Sequence, residues 1–166
     1  YYGVRFEAYV AASLVRNKIS FKKSEAPDFL IRGDSLGIEC TSVRIRSLPN
    51  KSDYGYKILS VVKKKVGSRS HKPETALLID VTNIAYNSSA LDTGYLRRTA
   101  TDAIQTCSFG AIVLFVYMFN HGLQRIEANY IRVDSSHIPS SLNELLNQLC
   151  PFEGHEVSSH SIPHEG

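Results

Sequence analysis

The sequence predicts one α/β domain over residues 1–152, with a central mixed sheet flanked by helices and with a C-terminal β-hairpin and helix. Segments whose apolar residues recur at helical spacing alternate with short apolar runs typical of strands. A strand–helix–strand step between residues 36 and 84 permits a parallel pair of strands in the sheet. The 166 residues suffice for one hydrophobic core, and no internal repeat divides them. Residues 153–166 show no periodicity, so we expect an irregular tail there.

The N-terminal part of the chain predicts a helix followed by three short strands. Apolar residues recur at helical spacing from Val4 to Leu14, and this pattern predicts a helix over residues 2–18. The polar turn at residues 32–35 joins two apolar runs and indicates a β-hairpin. The three strands are predicted over residues 19–23, 29–32 and 36–43.

The rest of the chain predicts three further helices and three further strands. Ile58 and Val62 lie on the apolar face of a lysine-bearing helix over residues 54–66, which Gly67 ends. A continuous apolar run predicts a strand over residues 76–84. The remaining elements are predicted as a helix over residues 95–106, a strand over 109–119, its antiparallel partner over 124–133 and a last helix over 142–149.

Two carboxylates interrupt the apolar strands of the predicted hairpin. Asp28 begins the first strand, and Glu39 lies within the second. Ionised acids are rarely buried without a partner, because removing the charge from water is costly. Two acids on paired strands therefore indicate a site at which a cation offsets their repulsion. Alternation along the second strand puts Glu39 and Thr41 on the face opposite Cys40.

Two further acids have more than one interpretation. Glu7 shares the apolar face of the first predicted helix. It either belongs to the acid site or lies at the edge of the buried stripe, paired with Arg5 or a lysine. Asp80 lies in a predicted strand, where it is either a further site acid or an acceptor of hydrogen bonds from the backbone, Thr82 or Asn83. The sequence leaves both alternatives open for each acid.

Composition narrows the class of protein. No apolar run is long enough to cross a bilayer, and no basic-then-apolar leader is visible, so we expect a cytoplasmic protein without membrane contact. The net charge of +3 suits a polyanionic partner without requiring one. Cys40, Cys107 and Cys150 lack the spacing of a zinc site or a disulfide framework. No histidine pair has the spacing of a metal motif, and no nucleophilic triad is indicated.

The acids and the element order together resemble a known nuclease family. Pro27 and Asp28 stand at a strand start, Glu39 follows an apolar residue on the next strand, and Glu7 lies on the first helix. This pattern resembles the PD-(D/E)XK nuclease superfamily, which has the restriction-endonuclease-like fold. That family has an α-β-β-β-α-β core, and residues 2–84 supply this order. The resemblance implies a metal-dependent endonuclease that hydrolyses phosphodiester bonds in DNA or RNA, of restriction type, a repair enzyme or the toxin domain of a larger protein.

The resemblance also implies a set of metal ligands. Asp28 and Glu39 would hold Mg²⁺ or Mn²⁺, with the backbone carbonyl of Cys40 as a further ligand. Glu7 would bind a second ion or orient a water molecule. Hard cations with oxygen ligands activate water and stabilise charge on phosphate oxygens, which is what phosphodiester hydrolysis requires.

One position departs from the family pattern. The family places a lysine two residues after the second acid, and this chain has Thr41 there. A lysine would then have to reach the site from elsewhere. Lys57, near the start of the next predicted helix, is the first candidate for this catalytic role, and Lys64 is the second. The departure equally supports an alternative, a catalytically decayed member of the same fold that binds nucleic acid or protein.

Basic residues near the predicted site suit a nucleic-acid partner. Arg44, Arg46, Lys51 and Lys64 could contact backbone phosphates, which gives affinity without sequence information. The resemblance favours DNA over RNA as the substrate. It also allows a homodimer or, for a toxin, a cognate inhibitor protein.

Overall fold

The structure is a computed structural model that describes residues 2–44, 53–87, 93–122 and 124–151. The tail predicted over residues 153–166 lies outside these ranges. In chain order the elements are α1 (Tyr2–Arg16), β1 (Phe21–Lys23), β2 (Phe29–Ile31), β3 (Leu36–Ser42), α2 (Asp53–Val66), β4 (Thr75–Asp80), α3 (Thr82–Asn87), α4 (Thr93–Gln105), β5 (Ala111–Asn120), β6 (Arg125–Asp134) and α5 (Ser140–Leu149).

All these strands belong to one mixed sheet whose spatial order follows the chain, from β1 at one edge to β6 at the other. β1, β2 and β3 pair antiparallel as a meander. β4 lies parallel to β3 and to β5, with helices in both crossover connections. β5 and β6 form the antiparallel C-terminal hairpin, and α5 follows it. The predicted α/β class, with a mixed sheet, is confirmed.

Helices cover both faces of the sheet, as predicted, and each face has its own apolar core. One core lies under α1 and α5 and includes Phe6 and Leu145. The other lies under α2, α3 and α4 and includes Ile58 and Ile84. Alternation along the central strands sends neighbouring side chains to opposite faces, so Leu78 belongs to the first core and Leu77 and Ile79 to the second.

The predicted strand over residues 76–84 is wrong at its C-terminal end. β4 stops at Asp80, and α3 begins two residues later. A carboxylate oxygen of Asp80 accepts a hydrogen bond from the backbone N–H of Thr82 at 3.0 Å, and the N–H groups of Ile84 and Ala85 donate to the Val81 carbonyl. An acid that accepts such a bond starts a helical turn. The buried Ile84 therefore reaches the core from a helix and not from a strand.

Among the described residues, no helix has both the length and the apolar character needed to cross a membrane.

Candidate functional site

The sheet register brings the two hairpin acids together. Phe29 pairs with Ile38, so Asp28, one residue before β2, stands opposite Glu39 in the same antiparallel register. One carboxylate oxygen of Asp28, Oδ2, accepts a hydrogen bond of 2.7 Å from the backbone N–H of Cys40. Residue 37 must be glycine for this close approach, because a Cβ there would lie 2.6 Å from the Pro27 ring. The space beside β3 is thus filled by the Pro27–Asp28 segment.

Lys23 joins the acid of α1 to the acid of the hairpin. Its ammonium nitrogen lies 2.6 Å from Oε2 of Glu7 and 3.3 Å from Oδ1 of Asp28. The same nitrogen lies 4.6 Å from the centre of the Phe29 ring. Burial lowers the pKa of Lys23. The hydrogen bonds to Glu7 and Asp28 and the negative charges of these acids together outweigh this effect, so the pKa of Lys23 is raised above its ordinary value. Glu7 therefore belongs to the same cluster as Asp28, through a lysine.

The pKa of Asp28 is raised above its ordinary value. Partial burial is the largest cause, the hydrogen bond from the Cys40 N–H opposes it, and the nearby Glu39 carboxylate raises the pKa further. Lys23 lowers the pKa and Glu7 raises it by smaller amounts. An approaching cation stabilises the ionised form of a carboxyl group in this setting, because it offsets both the cost of burial and the repulsion by Glu39.

Glu39 is almost completely buried, with 2% of the residue exposed. It extends from β3 on the face opposite Cys40, and its Oε1 contacts the ammonium group of Lys65 at the end of α2. Within the described part of the chain, its second oxygen, Oε2, is buried and has no hydrogen-bond partner. A buried carboxylate oxygen without a partner is costly and calls for a further cation or donor.

The lysine of α2 that contacts Glu39 is Lys65, and not the predicted Lys57. Lys57 is exposed, and it makes no ion pair with any residue in the described ranges. Lys64 is exposed as well. Lys65 follows the buried Val62 by three residues and the buried Ile58 by seven, so all three share the helix face that meets the sheet. This spacing is the sequence signal that could have identified Lys65. A choice based on distance along the chain from Thr41 favours Lys57 instead.

The predicted role of Cys40 concerns its carbonyl, which lies within β3 where Cys40 is paired with Leu78. The atom of Cys40 that contacts an acid in the structure is the backbone nitrogen. Its side chain is buried in the core under α1, and burial raises the pKa of the thiol well above the ordinary value. The thiol is thus a packing group.

The remaining predictions concern the residues expected to bind nucleic acid and the acid Asp80. Arg44 is exposed one residue beyond the buried Val43, while Arg46 and Lys51 lie outside the described residues. Asp80 bonds to the start of α3, so the structural alternative holds for this acid.

Asp28 and Glu39 are the two carboxylates of the described residues that could hold a hard divalent cation, since they stand opposite each other and interact electrostatically. In the described ranges, no three or more His, Cys, Asp and Glu side chains form a metal-holding group. Mg²⁺, however, is commonly bound by one or two carboxylates together with waters and substrate phosphates. Asp28 and Glu39 supply two such groups. Among the described carboxylates, Oε2 of Glu39 is the oxygen that is buried without a hydrogen-bond partner, so a cation would stabilise it most.

Comparisons of the chain with protein-family models, with curated proteins and with solved structures found no match. A functional assignment therefore rests on the residues of this chain alone.

Proposed function

We propose that this chain is a metal-dependent endonuclease of the PD-(D/E)XK type, which hydrolyses phosphodiester bonds in DNA or RNA with Mg²⁺ or Mn²⁺. The observation that carries the proposal is the buried Glu39 carboxylate beside Asp28. One of its oxygens contacts Lys65, and the other is buried without a partner. An acid, a second acid and an ammonium group within one small region are the parts that this hydrolysis needs.

The element order supports the restriction-endonuclease-like arrangement. The first six elements follow as α1, β1, β2, β3, α2 and β4, which is the α-β-β-β-α-β order of that family. The acids stand at the corresponding places, on the first helix, at the start of the second strand and inside the third. The order by itself is shared by unrelated proteins, so the acids carry more weight than the topology.

In the proposed reaction each residue has a separate task. Asp28 and Glu39 would hold the metal ion, which when bound lowers the pKa of a water molecule and polarises the phosphate. Lys65 contacts Glu39 and would place a positive charge where negative charge develops on the phosphate oxygens. The Cys40 N–H fixes the orientation of the Asp28 carboxylate, which leaves Oδ1 directed toward Lys23.

Substrate binding is assigned to exposed cations near the site. Arg44 at the end of β3 and Lys64 on α2 are exposed, and both suit contacts with backbone phosphates. Such contacts favour DNA and RNA alike, and we propose DNA as the first substrate to test. The proposal includes a cytoplasmic location and either a homodimer or, for a toxin domain, a cognate inhibitor protein.

A second candidate function is a binding module of the same fold without catalysis. Three acids of the cluster contact two ammonium groups of the chain itself, Lys23 and Lys65, so most of their charge is offset without a metal. Thr41 stands where the family has a lysine. This candidate predicts nucleic-acid or protein binding that needs no metal.

Cleavage assays separate the two candidates. Purified protein is incubated with supercoiled plasmid and with structured RNA, in Mg²⁺, in Mn²⁺ and in EDTA. We expect metal-dependent cleavage that falls at least about 100-fold in Asp28→Asn and in Glu39→Gln, because each change removes a charged ligand. Asp34→Asn is the matched control, since Asp34 is an exposed acid in the hairpin turn, with a φ of 68° that asparagine tolerates.

Absence of metal-dependent cleavage of either substrate would contradict the enzyme proposal. If the Asp28→Asn and Glu39→Gln variants then still bind nucleic acid in EDTA as the unchanged protein does, the binding module is the better description.

A further inference from the structure

Lys23 holds two acids that come from different elements of the fold. It ends β1, Glu7 lies on α1, and Asp28 precedes β2. Its ammonium group is the cation that both acids contact, and half of its side chain is exposed. Nothing in the proposed chemistry uses this lysine.

The two contacts of Lys23 differ in length. The contact with Glu7, at 2.6 Å, is as short as a strong charge-assisted hydrogen bond, whereas the contact with Asp28, at 3.3 Å, is longer than such bonds normally are. The other oxygen of Asp28 accepts the Cys40 N–H. Oδ1 of Asp28 is therefore the oxygen that a metal ion can take, and Lys23 is the group that stands against it.

We propose that Lys23 is an intramolecular counter-ion that competes with the divalent cation for Asp28. Without metal, it holds Glu7 and Asp28 together and offsets their repulsion. When the cation binds, Lys23 leaves Asp28 and keeps its shorter contact with Glu7, which its exposed side chain permits. The lysine therefore lowers metal affinity and stabilises the metal-free protein. This inference rests on the metal site of the proposed function.

Direct measurement of Mn²⁺ binding tests the competition. Free Mn²⁺ is followed by electron paramagnetic resonance in titrations of the unchanged protein, of Lys23→Met and of Lys22→Met. Methionine keeps an apolar side chain against the Phe29 ring and removes the charge together with the N–H donors to the two acids. Lys22 is the matched control, because it is an exposed lysine on the same strand.

We expect Lys23→Met to bind Mn²⁺ about tenfold more tightly than the unchanged protein, since a positive charge within a few ångströms of the ion is removed. Lys22→Met should stay within about twofold, because an exposed charge on the strand is screened by solvent. In EDTA, Lys23→Met should melt at a lower temperature than the control, and Mn²⁺ should raise its melting temperature by more. Lys23→Gln, which is also neutral, is measured in parallel in case the methionine variant folds poorly.

Equal or weaker Mn²⁺ binding by both neutral Lys23 variants, relative to Lys22→Met, overturns the inference. If the unchanged protein still cleaves nucleic acid with Mn²⁺ in that case, the proposed function stands and only the role of Lys23 falls. If Mn²⁺ binds more tightly to the Lys23 variants but no cleavage occurs, the counter-ion role stands and the enzyme proposal falls. If none of the proteins binds Mn²⁺, both fall.

Discussion

Glu39 and Lys65 form the contact on which the proposed chemistry depends, and the predictions from sequence include only Glu39. Glu39 is conspicuous because it interrupts an apolar strand. Lys65 is one of several lysines on α2. The lysine that reaches Glu39 is identified by the face of the helix on which it lies, and not by its distance along the chain. The buried positions Ile58 and Val62 define that face, and Lys65 continues it by one turn.

Lys65 is predicted to be the lysine that supports catalysis. Lys65→Met should lower kcat for cleavage by about 100-fold, because an electrostatic group beside the reacting phosphate is lost, and should leave KM nearly unchanged. Lys57→Met is the matched control on the same helix and should stay within about twofold. Steady-state kinetics on a short labelled duplex measures both parameters.

Lys65→Met also leaves a buried carboxylate without its counter-charge, so folding must be checked beside activity. The double variant Lys65→Met/Glu39→Gln should melt at a higher temperature than Lys65→Met and remain inactive. An equal loss of kcat in the Lys57 and Lys65 variants would contradict the assignment.

At the scale of single elements, α5 is tied to β6 by a buried arginine. Arg132, with 1% of its side chain exposed, donates two hydrogen bonds of 2.7 Å to Asp134 on its own strand. It also donates to the side-chain oxygens of Asn143 and Asn147 on α5 and to the Cys150 carbonyl. A guanidinium group with this many acceptors fixes where the last helix lies on the sheet.

Loss of this arginine should destabilise the whole protein. Arg132→Met should lower the free energy of unfolding by about 3–5 kcal/mol, because the Asp134 charge and several acceptors lose their partner in a buried place. Arg98→Met, which changes an exposed arginine on α4, should cost less than about 0.5 kcal/mol. Urea unfolding followed by circular dichroism measures both values. A cost below about 1 kcal/mol for Arg132→Met would mean that the apolar contacts of α5 suffice.

The sequence predicts most elements to within a few residues, because their apolar periodicity is strong, and it misses α3. Val81 and Ile84 continue the apolar run of β4, and the start of the helix is marked instead by polar contacts such as the hydrogen bond from the Thr82 N–H to Asp80. A single capping contact is thus invisible to a pattern based on hydrophobicity. Similarly, the contacts of Lys23 with Glu7 and Asp28 depend on how α1 packs beside β1 and β2. The spacing of residues along the chain does not predict this packing.

At the scale of the molecule, the acid site lies at the antiparallel meander formed by β1, β2 and β3, at one edge of a mixed sheet with a separate core on each face. The meander of β1, β2 and β3 brings Lys23, Asp28 and Glu39 together, α1 adds Glu7 from one face, and α2 adds Lys65 from the other. The cluster therefore draws on α1, β1, β3, α2 and the residue before β2, which the fold brings together from distant parts of the chain. This is why the sequence predicts the acids but not the lysines that offset them.

In the proposed site, Asp28 and Glu39 share one divalent cation. Crystals of the protein soaked in Mn²⁺ and measured for anomalous scattering test it most directly. We expect one strong peak about 2–2.5 Å from a carboxylate oxygen of each acid, with Oε2 of Glu39 among the ligands. No peak between these two side chains, in crystals where both are clearly resolved, would contradict it.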